Sequence, residues 1–148
     1  MQFPGGAMKR DKGFTVIELL ITIAILGILG AVSLSIYNSY RASGYNNTAK
    51  SDLMTAVTAQ QRFFTDSNTY GANVAAINFT PQNNVTVLFS VAGTNMNACA
   101  KHLWGDKIYG YDSNTNQYYQ QDSARDVALG ACPAATQGND FGGWQQMQ

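Results

Sequence analysis

Charge is scarce in this chain. Asp, Glu, Lys and Arg make up 12% of its 148 residues, and nine basic side chains balance nine acidic ones. Without a basic surplus there is no electrostatic footprint for nucleic acid, and without an acidic block there is no signature of a solvated tail. Histidine occurs once, at His102. A structural metal site needs about four N or S ligands, so one histidine and two cysteines leave no metal centre of that kind. The carboxylates Asp106, Asp112, Asp122, Asp126 and Asp140 do not follow EF-hand spacing and read as solvated turn residues. No cofactor motif is present, and no clustered catalytic set is visible. His102 stands three positions after Cys99, and in an extended strand two such residues point to opposite faces. His102 is expected at the surface or at an interface.

The two cysteines, Cys99 and Cys132, are separated by 33 positions and allow one intramolecular pairing. If the body is exported, that pairing is a disulfide. In the chain-entropy picture it would stabilise the fold by about 3–4 kcal/mol. Two unrelated buried thiols are the alternative.

Charge is scarcest near the N-terminus. From Phe14 to Ile36 there is one ionisable side chain, Glu18. Twenty-three helical residues rise about 35 Å, enough to cross a hydrocarbon core of roughly 30 Å. Lys9, Arg10 and Lys12 precede the run and would hold that end on the cytoplasmic side. The lone acid is anomalous, because a carboxylate at the centre of a spanning helix costs on the order of 3 kcal/mol and less near an end. Glu18 either reaches the headgroups and complements the helix N-terminus, or it has a cationic partner.

The segment Gly13-Phe14-Thr15-Val16-Ile17-Glu18-Leu19-Leu20 resembles the processing motif of type IV pilins and pseudopilins. The stretches Ser51-Asp52-Leu53 through Phe64 to Tyr70, and Ala100-Lys101-His102 with Gly105-Asp106-Lys107, are similar to type IVa pilins with less specific motifs. The resemblance implies cleavage between Gly13 and Phe14 by a membrane-embedded prepilin peptidase, which then N-methylates Phe14. The cut lies before the apolar core, so that core stays in the mature chain. Removing Lys9, Arg10, Asp11 and Lys12 leaves six basic and eight acidic side chains, a balance of −2. Cleavage also creates an α-amine on Phe14. The amine of an incoming subunit could pair with Glu18 of a subunit already in the filament, setting axial register more than raw stability. Where many pilins carry a helix-bending proline, this chain has Ser35. Gly27, Gly30, Ser33 and Ser35 still weaken the helix, so residues 27–35 are expected to be helical in the membrane and able to extend locally in a filament.

The implied organisation is a leader over 1–13, an apolar transmembrane and filament-core helix over 14–37, and a globular domain over 38–148. The fold class is α+β: a long N-terminal helix, from about Phe14 to Thr65, packed on a C-terminal antiparallel β-meander. Ala49, Leu53, Ala56, Val57, Gln60, Phe63 and Phe64 recur at three-to-four spacing and mark the buried stripe, with Lys50, Asp52, Thr55 and Arg62 on other faces and Gly44 as a weak point. Strands are expected at Val85–Val91, Ala98–Leu103, Lys107–Tyr111 and Gln117–Gln121, separated by turns rich in Gly, Asn and Asp. A Gly-rich tail from Asp122 is expected to wrap the sheet. The resemblance implies that Cys132 staples it to the strand of Cys99. Tyr37, Tyr40 and Tyr45 read as a membrane-interface belt. Asn46, Asn78 and Asn84 each begin an N-x-Thr sequon, a weak signal.

The resemblance implies a structural pilus subunit and not an enzyme. It would be an inner-membrane single-pass precursor, then part of an extracellular homo-oligomeric filament for adhesion or motility. Implied partners are the prepilin peptidase, an inner-membrane platform protein, an assembly ATPase and an outer-membrane secretin. A pseudopilin of a type II secretion system is the alternative.

Overall fold

The computed structural model describes residues 13–148, without the side chain of Ser35. The leader residues before Gly13, with Lys9, Arg10 and Lys12, lie outside the described residues. The chain divides into two compact units, one ending at Asn38 and the other running from Ser39 to Gln148. Helix α1 (Val16–Ser67) contributes to both, and Gly27, Gly30 and Gly44 all lie within it. In the first unit its side chains are exposed, Leu26 at 62% and Leu34 at 68% among them. The 21 residues from Val16 to Ile36 rise about 31 Å, long and apolar enough to cross a membrane.

The second unit is built on a five-stranded antiparallel sheet in the order β1-β2-β3-β4-β5. The strands are β1 (Val85–Ala92), β2 (Asn95–His102), β3 (Lys107–Asp112), β4 (Gln117–Asp122) and the short β5 (Gln145–Gln146). The four expected strands are present. The second begins three residues earlier than expected because the turn before it needs only Gly93 and Thr94: Ala92 already pairs with Asn95. Gly93 has φ +62, the positive value that a two-residue hairpin demands at its first loop position. Strand β5 is an addition that a two-residue Gln-Gln segment could not announce.

The register explains why β2 is buried along almost its whole length. On one face Val87, Ala98, Ala100, Tyr109 and Tyr111 pack against Ala49, Leu53, Ala56 and Val57 of α1. On the other, Cys99, Tyr119, Leu129 and Phe141 form a second cluster beneath the C-terminal tail. β2 is therefore a central strand buried on both sides. The tail does wrap the sheet, and Cys99 and Cys132 form a disulfide with Cα atoms 5.5 Å apart.

Helix α1 ends at Ser67 because Asn68 takes φ 56 and its N–H donates to the Phe64 carbonyl at 2.8 Å, an αL cap. The buried stripe follows the expected spacing with one correction. Asp52, expected on another face, is 4% exposed. Its carboxylate accepts from the Gln82 N–H at 2.7 Å and from Gln82 Nε2 at 3.0 Å, tying the helix to the residues before β1. A buried carboxylate is tolerable when hydrogen bonds of that kind satisfy it.

Candidate functional site

The first candidate region is the start of α1. Thr15 stands just before the first helical residue, and its hydroxyl accepts from the Glu18 N–H at 3.3 Å. Glu18 reaches back, and its Oε2 accepts from the Thr15 N–H and from Thr15 Oγ1, both at 2.8 Å. This reciprocal pair is a capping box, with Thr at the N-cap and Glu at the third helical position. It satisfies backbone donors that a helix N-terminus otherwise leaves open, and it places a negative charge at the positive end of the helix dipole. Thr-x-x-Glu before an apolar run is the sequence-level signal of this cap. Thr22 and Ser33 return their hydroxyls to the carbonyls four residues back, Glu18 and Leu29, at 2.7 Å each. The hydroxyls of Thr22 and Ser33 are thereby satisfied within the helix, as a hydrocarbon environment would require. Phe14 is 87% exposed.

The second region lies in the globular unit, where Asp106 joins three elements. Its Oδ1 accepts from Asn46 Nδ2 of α1 at 2.7 Å, and its Oδ2 from Arg125 at 3.0 Å. Asn46 Oδ1 in turn accepts the backbone N–H groups of Asp106 and Lys107, at 3.1 and 3.2 Å. The Asn46 hydrogen bond, supported by Arg125, holds the Asp106 carboxyl below the ordinary aspartate range. Asn46 is 6% exposed, so this sequon is occupied by structure; Asn78 and Asn84 are exposed.

His102 corrects an expectation. It is not at the surface but 4% exposed, stacked on Tyr45 with ring centroids 4.5 Å apart. Its Nδ1 accepts the Trp104 N–H at 3.2 Å, which leaves the proton of the neutral ring on Nε2. Burial lowers its pKa from the usual value against the pull of Asp52. Tyr45 likewise departs from the expected belt, because it packs on the globular unit, while Tyr37 and Tyr40 remain exposed. Cys99 points to the opposite face and is bonded to Cys132, so no thiol–imidazole pair exists.

The carboxylates expected in solvated turns divide. Asp112 is 1% exposed; its Oδ1 accepts the Asn114 N–H at 2.8 Å and its Oδ2 the Asp140 N–H of the tail at 3.4 Å. Asp140 accepts from Asn97 Nδ2 at 3.0 Å, from the Thr136 N–H at 2.8 Å and from Thr136 Oγ1. Both therefore hold the tail and the sheet together. Asp122 and Asp126 are exposed. Lys101 is also unexpected: the strand lysine is 1% exposed, and its ammonium donates to the carbonyls of Ala124, at 2.8 Å, and of Val127. Among the described residues, no group of three or more His, Cys, Asp or Glu is placed to hold a metal ion.

A family model described as the prokaryotic N-terminal methylation motif matches residues 8–34. The type IV wide pilus major component PilA4 of Thermus thermophilus is 36% identical over 134 residues, covering 85% of this chain and 100% of that protein. The chain belongs to the type IV pilin family. The type IV major pilin protein PilA of Myxococcus xanthus is 37% identical over 73 residues, 49% of this chain and 33% of its own length. A fimbrial protein of Pseudomonas aeruginosa is 43% identical over 54 residues, 36% of this chain and 35% of that one. The chain thus spans the whole of the Thermus pilin and about a third of the other two. Its long N-terminal apolar helix and C-terminal antiparallel sheet make the α+β fold of a pilin.

Proposed function

We propose that this pilin is a structural subunit of a type IV pilus. It would be cut between Gly13 and Phe14, N-methylated on Phe14, held in the inner membrane by residues 16–36, and then polymerised into an extracellular filament. The prepilin peptidase, platform protein, assembly ATPase and secretin would be its machinery, and adhesion or motility the use of the filament. The observation that carries this reading is the helix of exposed apolar side chains from Val16 to Ile36. Apolar burial at about 25 cal/mol per Å² drives such a surface out of water. Moving it from lipid into a bundle of identical helices gains far less, so packing and pairing must select the partner.

Glu18 is the residue to test, because two roles for it separate cleanly. In the capping box, glutamine serves as well as glutamate. In a pair with the Phe14 amine of another subunit, only the charged side chain serves. Filaments should therefore be lost with Glu18→Gln as well as with Glu18→Ala, while both variants still accumulate in the membrane as processed subunits. Normal filament counts by electron microscopy for Glu18→Gln, with loss for Glu18→Ala, would refute charge pairing and leave the cap as the reason for the acid.

A further inference from the structure

A sheet exposes unpaired backbone at its edges, and the edge strands here are β1 and β5. The far edge is blunted: Gln145 and Gln146 of β5 cover part of β4, and β4 ends in the charged Asp122. β1 has no such protection. Its eight residues, Val85 to Ala92, include no charge and no proline, and they pair with β2 one for one, without a bulge. The hydrogen bonds show which of its groups face out. Met96 turns its backbone toward Ser113, its N–H donating to Ser113 Oγ at 2.7 Å and its carbonyl accepting the Ser113 N–H at 2.9 Å. Val91, opposite Met96, therefore points its own N–H and C=O away from the sheet, and by the alternation of an antiparallel ladder so do Val87 and Phe89. The Leu103 N–H donates to the Asn84 carbonyl at 2.8 Å, which fixes the same alternation from the other end. Val85 turns its outward N–H back to the Gln82 carbonyl at 3.1 Å. The outward backbone groups of Val87, Phe89 and Val91 have no hydrogen-bond partner among the described residues. The hydrogen bond from the tail to β1 goes to a side chain, Ser90 Oγ, which accepts the Ala135 N–H at 3.1 Å.

We propose that this open edge docks a second copy of the same strand, the two β1 strands running antiparallel across a two-fold axis at Phe89. Phe89 then stands opposite its own copy, and Val87 opposite Val91 of the second copy. Their outward groups make roughly six hydrogen bonds in the pattern of an antiparallel ladder. The strand itself selects a copy as the occupant. An antiparallel pair about a two-fold axis is self-complementary, so one edge supplies both halves of the contact. β1 is uncharged, so two copies meet without like-charge repulsion, whereas a charged strand would find no counter-charge on it. A single strand pair is a small contact and holds weakly at low concentration. In the filament proposed above, copies stand close enough to favour it. A contact that closes on two copies cannot extend a fibre that grows in one direction, so it would tie neighbouring fibres side by side. That last step rests on the pilus reading; the pairing itself does not.

The test uses the full processed chain in detergent, with enough excess to keep the apolar segments apart. Amide hydrogen exchange, followed by NMR over rising protein concentration, reads the edge directly. Exchange at Val87, Phe89 and Val91 should slow about tenfold at high concentration, while that of Met96, already bonded, should not change. A spin label on Ala92→Cys reads the register: Ala92 and its copy stand six strand positions apart, about 20 Å. Phe89→Pro removes one edge donor per copy without touching the β2 ladder, and should weaken association about tenfold. Phe89→Leu keeps the donor and should keep the association. The exchange pattern and the distance are read on chains that retain the backbone donor, so they decide even where the proline variant fails to fold. Edge amides that exchange fast at every concentration would overturn the proposal, as would edge amides already slow in the dilute chain. Association that leaves those amides unchanged would assign the contact to another surface and overturn it too. Filament formation is scored separately, by the Glu18 variants, so a failure here leaves the pilus reading standing.

Discussion

Replacing Gly110 by alanine should loosen the C-terminal tail from the sheet, and the geometry sets the size of the effect. Gly110 lies in the row Leu88–Cys99–Gly110–Tyr119, whose side chains face the tail. Phe141 occupies the place where a side chain would stand. A Cβ at residue 110 would meet Phe141 Cε1 at 2.2 Å, and Cδ1 and Cζ at 2.8 Å. Carbon atoms rest at about 3.5–4.0 Å, so the ring must withdraw by more than 1 Å. It is 1% exposed, stacked on Tyr119 at 5.0 Å and edge-on to Trp144 at 5.0 Å, and has no slack on either side. Overpacking of that kind costs about 1–3 kcal/mol. Expelling the ring entirely is bounded by the roughly 3–5 kcal/mol of a Phe→Ala deletion. Urea unfolding of the full chain in detergent should therefore show Gly110→Ala destabilised by about 1–3 kcal/mol. The double variant with Phe141→Ala separates steric conflict from backbone effects: with the ring gone, the added methyl should cost little, giving a coupling of about 0.5–3 kcal/mol between the sites. Additive losses, or an unaffected Gly110→Ala, would refute the reasoning.

Two other buried groups give further expected outcomes. His102 is held neutral in the fold by burial, so its folded pKa lies below the unfolded value of about 6.5. The unfolded chain then binds the extra proton first, and stability present above about pH 6.5 declines as pH falls toward the folded value. As the chain has one histidine, urea midpoints between pH 7.5 and 5 should fall in the native protein and flatten in His102→Gln; an equal slope in both would sink the assignment. Asp106, with its lowered pKa, contributes its own loss only at more acid pH. Gln60 is fully buried and clasps Gly71 twice, its Nε2 donating to the Gly71 carbonyl at 2.7 Å and its Oε1 accepting the Gly71 N–H at 2.8 Å. Gln60→Leu strands both groups at about 1–3 kcal/mol each, read as a lowered unfolding midpoint; a loss under about 0.5 kcal/mol would mean that water replaces the clasp.

Periodicity made the larger elements legible. The three-to-four stripe from Ala49 to Val57 is the face that meets the sheet, and β-branched residues with Gly and Asn punctuation marked four strands to within a few residues. Polar partners were not legible, because hydrogen bonds between residues far apart in sequence leave no local pattern. Asn46 reads as a sequon, Asp52 as a residue on another helix face and Asp112 as a turn acid, and nothing local marks Lys101; each is buried because its partner arrives from another element. His102 follows the same logic, since Tyr45 covers it from a helix 57 positions earlier.

In the proposed pairing, Glu18 would serve a local capping motif and an assembly role with one side chain. A carboxylate in an apolar segment demands compensation. Within a single chain the demand is met by Thr15, whose N–H and hydroxyl both bond the same carboxylate oxygen, Oε2. The other oxygen, Oε1, accepts no hydrogen bond among the described residues. A carboxylate offers about four acceptor positions, so the cap leaves capacity for an incoming ammonium without first breaking. Assembly can then add a charge-assisted bond to a side chain already oriented, rather than trade one bond for another. The ordering entropy of the acid is spent when the helix forms, so in the proposed pairing a neighbour's amine would meet a fixed target. On that proposal the helix start, and not the apolar length alone, would set subunit register.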